Sequence, residues 1–265
     1  MNRRKSAVNG TFYPATCNEI HAMIARFNGM IPPNVFDVAQ TFVRALIVPH
    51  AGYIYSGFSA NVAYAIAAAR HDIKRIIVIG PSHRVAFNGA SVARYELFES
   101  PCGDLKMDRA YAHDLETRFE SFGFDAQLHH EHSSEVQMPL IGYYFKEIPV
   151  VEIVYGQIDP NVLAQSIEYM FEDVNNLVVI STDLSHFYTL DEANQRDSIC
   201  LDAIQTMDVE RLNAGCEACG ILGVKALILA GNRLGMQAKI IDYRTSADAS
   251  GDTKRVVGYV SALMG

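Results

Sequence analysis

Six short runs of apolar, largely β-branched residues recur along the chain and alternate with longer helical patterns. These runs occupy residues 44–48 (RALIV), 75–80 (RIIVIG), 150–155 (VVEIVY), 177–181 (LVVIS), 239–242 (KIID) and 255–260 (RVVGYV). Three of them are apolar nearly throughout, as is typical of strands that helices cover on both faces. The helical patterns lie at residues 59–70, 108–123, 161–171, 191–207 and 220–235. The alternation predicts an α/β fold with a mixed, largely parallel central sheet flanked by helices.

The sequence contains no sign of an internal boundary. At 265 residues it fits one large domain as well as two small ones. It has no internal repeat, no low-complexity segment and no Ser/Gly-rich linker, and the Pro32–Pro33 pair marks a turn after the first helical stretch. We therefore predict a single domain over residues 1–265.

Charge and hydropathy exclude several classes of partner. Lys plus Arg number 22 against 30 for Asp plus Glu, which gives a net charge of −8 and no basic run. Nucleic acid and anionic membranes are therefore poor candidate partners. The basic N-terminus has no apolar stretch behind it, and the longest apolar runs are too short to cross a bilayer. We expect a cytoplasmic protein.

The five cysteines are Cys17, Cys102, Cys200, Cys216 and Cys219. Their odd number, in a chain without a predicted signal peptide, favours reduced thiols. Cys216 and Cys219 form a CxxC pair, but a structural zinc site needs a second pair at matching spacing. We interpret both as small buried residues near the start of a helix.

Histidines follow three of the predicted strands. His50 lies two residues after RALIV, His83 three residues after RIIVIG, and His186 five residues after LVVIS. In open α/β sheets ligands bind outside the carboxyl ends of the strands. Imidazole is the usual ligand of zinc, copper and iron, and it titrates near neutrality. The pattern predicts that the three histidines share a metal-type site.

Asp183 precedes His186 by three residues, and the sequence leaves its role open. Its carboxylate could bind the metal directly, or hold an imidazole in one tautomer. Equally, it could close the end of the strand as a helix cap or an Asx turn.

Two further polar segments are ambiguous. In residues 129–139 (HHEHSSEVQMP), Ser134 with Gln137 fits a capping box, which predicts a helix through residues 140–145. Glu131 and His132 would then lie just before a helix N-terminus, where anions are favoured, or would simply be exposed. Residues 243–252 could close the same crevice and supply an oxygen ligand, or form an ordinary turn. The signatures of dinucleotide-binding folds, P-loop NTPases and α/β-hydrolases are absent from the sequence.

These same segments resemble the Memo family, of the type known as protein B of the AmmeMemoRadiSam system. The matching segments, spread over residues 12–259, are Phe12-Tyr13-Pro14, VPHAGYIYSG, GPSHR, EHSSEVQMPL, STDLSH and DYRTSADASGD followed by VVGY. The family is itself related to the class III extradiol dioxygenases, which hold a non-haem iron in a mixed α/β domain.

The resemblance implies a crevice in which His50 and His83 are metal ligands and His186 is a catalytic base, with Asp183 beside it. Some members of the family bind copper or iron, and animal members are linked to cell motility and to receptor tails. In microbes the genes accompany a radical-SAM protein and an AMMECR1-type protein, which suggests a shared pathway.

One position departs from the animal members of the family. Those proteins carry a cysteine ligand in the late loop, where this chain has Ala249. Asp248 or His186 would then have to complete a three-ligand site. A set of imidazole and carboxylate ligands without a thiolate favours iron or zinc.

The expected cofactor is one divalent transition metal, with iron favoured over zinc or copper and with His50, His83 and His186 as ligands. The leading hypothesis is an Fe(II)-dependent oxygenase acting on a small aromatic or electron-rich substrate. Hydrolysis by a metal-activated water is a second option. The third is a non-catalytic adaptor for a peptide or a protein partner, whose groove would be lined by Tyr53, Tyr55, Arg84 and Arg244.

Overall fold

The computed structural model describes residues 2–38 and 43–265, which form twelve strands and ten α-helices together with a short 3-10 helix over Pro33–Val38. The strands are β1 (Arg3–Arg4), β2 (Ala45–Val48), β3 (Arg75–Pro81), β4 (Ala90–Val92), β5 (Leu97–Phe98), β6 (Leu105–Lys106), β7 (Phe122–Gly123), β8 (Val150–Tyr155), β9 (Asn176–Ser181), β10 (His186–Tyr188), β11 (Ala238–Thr245) and β12 (Val256–Met264). The helices are α1 (Cys17–Asn28), α2 (Tyr53–Ala67), α3 (Arg109–Arg118), α4 (His132–Glu135), α5 (Met138–Tyr144), α6 (Pro160–Glu172), α7 (Leu190–Thr206), α8 (Val209–Asn213), α9 (Ile221–Arg233) and α10 (Ala247–Ser250).

Nine strands form one sheet in the order β10-β12-β2-β9-β3-β8-β4-β7, and β11 pairs with β12. The four central strands β2, β9, β3 and β8 are parallel to one another. The strands toward both edges add antiparallel pairings, since β12 runs against β2 and β4 runs against β8. A separate small sheet contains β1, β5 and β6. The predicted fold class, a mixed sheet with a parallel centre flanked by helices, is confirmed.

All six predicted strands are present, and most boundaries agree within a few residues. The largest difference lies at α2, which begins at Tyr53 and not near residue 59, and Tyr53 is itself buried, so the buried part of the helix starts there. At the other end of the chain, β11 continues to Thr245 and β12 to Met264, since the two strands form a long antiparallel pair.

The alternation of side chains along the central strands divides the core between the two faces of the sheet. Ala45 and Ile47 of β2 belong to the core beneath α6, α7 and α9. Leu46 and Val48 point the other way, into the core that includes α1, α2 and α5. Because apolar cores cover both faces, the central strands are apolar nearly throughout, and the buried Glu152 in the middle of β8 is the main exception.

The carboxyl ends of the central strands lie side by side. Val48 at the end of β2 pairs with Ser181 at the end of β9, and β9 pairs in parallel with β3. The loops that carry His50, His83 and Asp183 therefore leave the sheet at one edge.

None of the helices in the described ranges is long and apolar enough to cross a membrane.

Four of the five cysteines are paired in the structure, so the expectation of reduced thiols is wrong for this form of the protein. Cys17 on α1 is bonded to Cys102, which lies between β5 and β6, and Cys200 on α7 is bonded to Cys216. Cys219 is free. The pairs join residues that are distant in sequence, so the count and spacing of cysteines could not reveal them.

Candidate metal centre

His50 lies in the loop after β2, and its ring is buried. Its Nδ1 atom lies 2.9 Å from the Ser181 hydroxyl oxygen, and that hydroxyl donates to the carbonyl oxygen of Ser133. Since Ser181 uses its proton there, it must accept from His50, which places the ring proton on Nδ1 and leaves the lone pair on Nε2. Burial, together with the neighbouring His83 and His132, lowers the pKa of His50 well below its usual value. His50 is therefore a neutral imidazole with the lone pair on Nε2, the form that binds metals.

His83 follows β3 and is held by Glu131. The Nδ1 atom of His83 lies 3.1 Å from Glu131 Oε1, and its backbone N–H donates to Glu131 Oε2 at 2.7 Å. The Glu131 carboxylate therefore fixes both the main chain and the ring of this residue, again leaving Nε2 free.

The third imidazole of the group belongs to His132, at the first position of α4. Glu131 is the N-cap of this four-residue helix and accepts hydrogen bonds from the backbone N–H groups of His132 and Ser133. The Nδ1 atom of His132 lies 2.8 Å from Glu131 Oε1. The predicted capping box is wrong, because Ser134 donates to the buried Glu152 and Gln137 donates to the carbonyl of Pro49 and to Ser181.

Close packing holds α4 against β3. A Cβ atom on Gly80 would lie 2.5 Å from the Ser133 hydroxyl oxygen, so only glycine allows the helix to approach the strand this closely. This contact brings His132 beside His83, with ring centroids 4.6 Å apart.

His50, His83 and His132 each offer one ligand nitrogen, and these atoms lie within 4.8 Å of one another. We call these residues the three-imidazole group. It contains two of the three residues that the sequence predicts as metal ligands, and His132 in place of His186. The donor set fits a transition metal, because each ring presents a free nitrogen while its other nitrogen has a fixed partner.

The Glu131 carboxylate places a negative charge beside the rings of His83 and His132. Burial alone would raise the pKa of its carboxyl, but hydrogen bonds from His132, from His83 and from backbone amides hold that pKa far below its usual range. The carboxylate is therefore ionised. It balances the charge that a bound cation would bring, without itself belonging to the three-imidazole group.

His186 begins β10 and is half-buried. It forms no ring hydrogen bond to any residue in the described ranges, yet its charge acts on the pKa of both His50 and Asp183. His186 thus lies within electrostatic reach of the three-imidazole group but outside it. Its predicted roles as a ligand or a base stay predictions.

Asp183 is almost fully buried, and its carboxylate accepts the backbone N–H of His50 at 2.8 Å. This bond comes from a different loop, so it is neither a helix cap nor an Asx turn, and it holds the backbone of His50 and not its ring. Direct binding of a metal by Asp183 stays a prediction. Burial raises the pKa of Asp183, and the hydrogen bond from His50 opposes the shift.

The late loop forms α10 and supplies no member of the three-imidazole group. Asp248 accepts hydrogen bonds from the backbone and hydroxyl of Thr245, and so closes the turn that begins this helix. His132 joins His50 and His83 in that group, while Asp248 or His186 as the third metal ligand stays a prediction.

The thiol of Cys219 also lies next to the three-imidazole group. The Sγ atom of Cys219, which precedes α9, lies 3.3 Å from His50 Nε2 and accepts the backbone N–H of Asp183 at 3.2 Å. Burial and the nearby Asp183 raise the pKa of this thiol to about 12. The interpretation of Cys219 as a simple packing residue missed this contact, because α9 is distant in sequence from the histidine loops.

A buried network of ion pairs holds α4, the helix that carries His132. Arg4 of β1 pairs with Glu135 and with Glu152, and it donates to the carbonyl oxygen of Glu131 at 2.9 Å. Burial alone would raise the pKa of Glu152, but Arg4 and His129 lower it to about 2. The N-terminal strand therefore holds α4, and with it His132, through charge-assisted hydrogen bonds.

An open cleft of about 590 Å³ adjoins the centre. His83 and Cys219 lie in its wall, together with apolar side chains that include Phe87, Ile221 and Leu222. Among the residues assigned to an adaptor groove, Arg84 also lines this cleft. The other three differ: Tyr53 is buried and donates to Val136, Tyr55 is exposed, and Arg244 packs over the ring of Phe58.

Comparison with known proteins agrees with these features. The model of the Memo-like protein family matches residues 4–263. A MEMO1 family protein of Desulfurococcus amylolyticus is 32% identical over 278 residues, which cover 98% of each chain. A MEMO1 family protein of Methanobrevibacter smithii is 32% identical, covering 98% of this chain and 99% of its own.

Among solved structures, an uncharacterized protein of Escherichia coli, JW3007, is similar in fold, with a TM-score of 0.52 over 83% of this chain and 99% of its own. Its sequence identity is 13%, so the likeness concerns the fold alone. The match to the family model, in contrast, spans nearly the whole sequence and includes every loop that builds the three-imidazole group. The chain belongs to the Memo-like protein family.

Proposed function

We propose that this chain is a metal-dependent oxidoreductase in which His50, His83 and His132 hold one Fe(II) ion, and which oxidises a small aromatic or electron-rich substrate with O₂. The observation that carries the proposal is the convergence of three ligand nitrogens within 4.8 Å, at the carboxyl edge of the sheet. Imidazole is a common iron ligand, and three protein ligands leave positions open for other molecules.

The protein's contribution starts with fixed ligand geometry. Glu131 holds the rings of His83 and His132, and Ser181 holds the ring of His50. Because these partners occupy the Nδ1 atoms, the rings need little rearrangement to present their Nε2 atoms. A bound Fe(II) ion would supply coordination sites for substrate and O₂.

The cleft next to His83 supplies a site for the substrate. Its apolar side chains, among them Phe87 and Leu222, suit an aromatic ring, and Arg84 offers a positive charge at an exposed position. The wall combines these apolar side chains with polar ones such as Ser82 and Gln157, and such a combination is typical of sites that orient a small molecule.

His186 is proposed as the general base that takes a proton from the substrate. It lies outside the three-imidazole group, so its ring is available for proton transfer while the metal is bound. It is half-buried, so solvent can return or remove the proton. It follows Asp183 by three residues, and Asp183 contacts the backbone of His50, so the same loop carries His186 and borders the centre.

A second candidate function is hydrolysis with a bound zinc ion. The observation that favours it is the all-imidazole donor set, because three histidines are also the protein ligands of some catalytic zinc sites. In that case the same cleft would hold an ester, amide or related electrophile, and the chain's residues would keep the roles described above.

The deciding experiment is metal analysis of protein purified without air, followed by measurement of O₂ uptake with a panel of catechol-like compounds. We expect about one iron per chain and uptake with at least one member of the panel. The variant His50→Ala/His83→Ala should lose both. The matched control is His71→Ala/His113→Ala, which removes two exposed histidines outside the group and should keep both.

Each alternative result has a clear meaning. Equal metal content in wild type and in His50→Ala/His83→Ala would overturn the metal centre. Zinc in place of iron, with hydrolysis of an activated ester and no O₂ uptake, would favour the hydrolase. Absence of bound metal and of both reactions would overturn both enzymatic functions and leave the adaptor.

A further inference from the structure

A second group of metal-ligating side chains lies far from the three-imidazole group in sequence and on other elements. It consists of Cys17 and His21 on α1 and of Cys102 between β5 and β6, and we call it the Cys–His–Cys cluster. One ligand atom from each residue lies within 4.8 Å of the others. All three residues are at least partly exposed, so the cluster is accessible from solvent.

Local structure fixes two of the three side chains. A capping box formed by Thr16 and Glu19 starts α1, which places Cys17 in the first turn. His21 follows four residues later and so lies on the same face of the helix. The Nε2 atom of His21 is 3.5 Å from Cys17 Sγ, and the ring packs edge-on against Tyr143.

We propose that the reduced form of this cluster binds one zinc ion through Cys17, His21 and Cys102, and that formation of the Cys17–Cys102 disulfide releases it. Thiolate and imidazole are the usual zinc ligands, and a tetrahedral ion with bonds of about 2.3 Å to sulfur and about 2.0 Å to nitrogen separates these two atoms by roughly 3.5 Å. The observed distance of 3.5 Å between Cys17 Sγ and His21 Nε2 matches this separation.

The third ligand comes from a separate element, because Cys102 lies on the short connection between β5 and β6 and not on α1. Water would complete the tetrahedron. The N-terminal end of α1 also carries a partial positive charge that favours the thiolate form of Cys17, which is the form that binds metal.

Reduction of the Cys17–Cys102 disulfide needs an external dithiol and no other group of this chain. An external dithiol delivers two electrons and two protons to the disulfide, which becomes two thiols while the dithiol becomes a disulfide. Zinc binding then releases two protons as both thiols become thiolates. In reverse, an external disulfide accepts two electrons from the two thiolates and two protons from water and becomes a dithiol, the Cys17–Cys102 bond forms, and zinc leaves with water in its coordination shell.

The test is zinc stoichiometry by competition with a chromophoric chelator, on full-length protein before and after reduction. Reduced wild type is expected to bind one more zinc ion per chain than oxidised wild type. Cys17→Ser/Cys102→Ser should lose this extra ion. His21→Ala should weaken it by more than about tenfold, since even an outer partner of a ligand costs that much. The matched control is His113→Ala, an exposed helical histidine outside both groups.

A second readout separates this site from the other cysteines. Zinc is expected to protect Cys17 and Cys102 of the reduced protein from alkylation, with Cys200 and Cys216 unprotected, as mapped by peptide mass spectrometry. Equal zinc content in the reduced and oxidised forms would overturn the proposal. So would an extra ion that persists in a folded Cys17→Ser/Cys102→Ser variant, or unchanged alkylation of Cys17 and Cys102 when zinc is present.

Discussion

The three-imidazole group and the Cys–His–Cys cluster offer similar ligand atoms in very different surroundings. In the first, every ring has one nitrogen held by a buried partner, either Ser181 or Glu131. In the second, Cys17, His21 and Cys102 are partly exposed, and the structure joins two of them in a disulfide. Residues that hold the ligands, such as Ser181 and Glu131, therefore arrange a site in advance as much as the ligands themselves do.

The comparison extends to the strand β1, where neighbouring arginines face the two regions. Arg4 is buried and pairs with Glu135 and Glu152 beneath α4. Arg3 is half exposed and pairs with Asp104, two residues beyond Cys102. Adjacent residues of the same type thus support the two regions in opposite environments.

The largest expected effect comes from breaking the buried network. Arg4→Met leaves two buried carboxylates without their cation, so the free energy of unfolding should fall by about 3–5 kcal/mol. Arg3→Met, the matched control, removes only a surface pair and should change it by less than about 1 kcal/mol. Urea denaturation of both variants measures the difference. Equal effects would contradict the assigned contrast between the two arginines.

A second experiment distinguishes the two histidines that compete for the third ligand position. His132→Ala should lose metal, because it removes a member of the three-imidazole group. His186→Ala should keep most of the metal while the rate falls by roughly two to four orders of magnitude, the usual contribution of a positioned base. Metal content and turnover of each variant are measured side by side. A His186→Ala protein as empty as His50→Ala would make His186 a ligand.

The next prediction concerns Glu131, the partner shared by two rings. Glu131→Gln keeps the size of the side chain but weakens its hold on His83 and His132, so metal affinity should fall about 10–100-fold. Glu96→Gln removes a carboxylate from a surface ion pair and serves as the control. If both variants bound metal as tightly as wild type, the carboxylate would have no part in arranging the ligands. Affinity is measured by competition titration under reducing conditions.

What the sequence predicts follows from where each residue lies relative to a strand. The central strands are covered on both faces, so their continuous apolar runs identify them, and His50 and His83 stand out because each directly follows one. His132 has no such marker, since it opens a four-residue helix that tertiary contacts, such as the packing of Ser133 on Gly80, bring to the end of the strands.

Side-chain contacts between distant parts of the chain could not be predicted from the sequence either. Ser134 and Gln137 fit a capping box by spacing, but buried acceptors attract both side chains elsewhere. Cys219 reaches His50 across 169 positions of the chain. Contacts of this kind depend on how the elements pack, and no local pattern encodes them.

The smallest expected effect concerns Cys219, which resembles the sulfurs of the Cys–His–Cys cluster in chemistry but the three-imidazole group in location. Its Sγ atom is close to His50 Nε2, yet burial and Asp183 raise the pKa of the thiol to about 12, so the neutral thiol is favoured over the thiolate that binds metal. Cys219→Ser keeps an acceptor for the Asp183 N–H, and metal affinity should change by less than about tenfold. After reduction, alkylation of Cys17 and Cys102 should be similarly tolerated by the three-imidazole group, because these residues lie outside it. A folded Cys219→Ser protein that lost its metal as fully as His50→Ala would instead identify a thiolate ligand, and the contrast between a nitrogen-only centre and a sulfur-containing cluster would no longer hold.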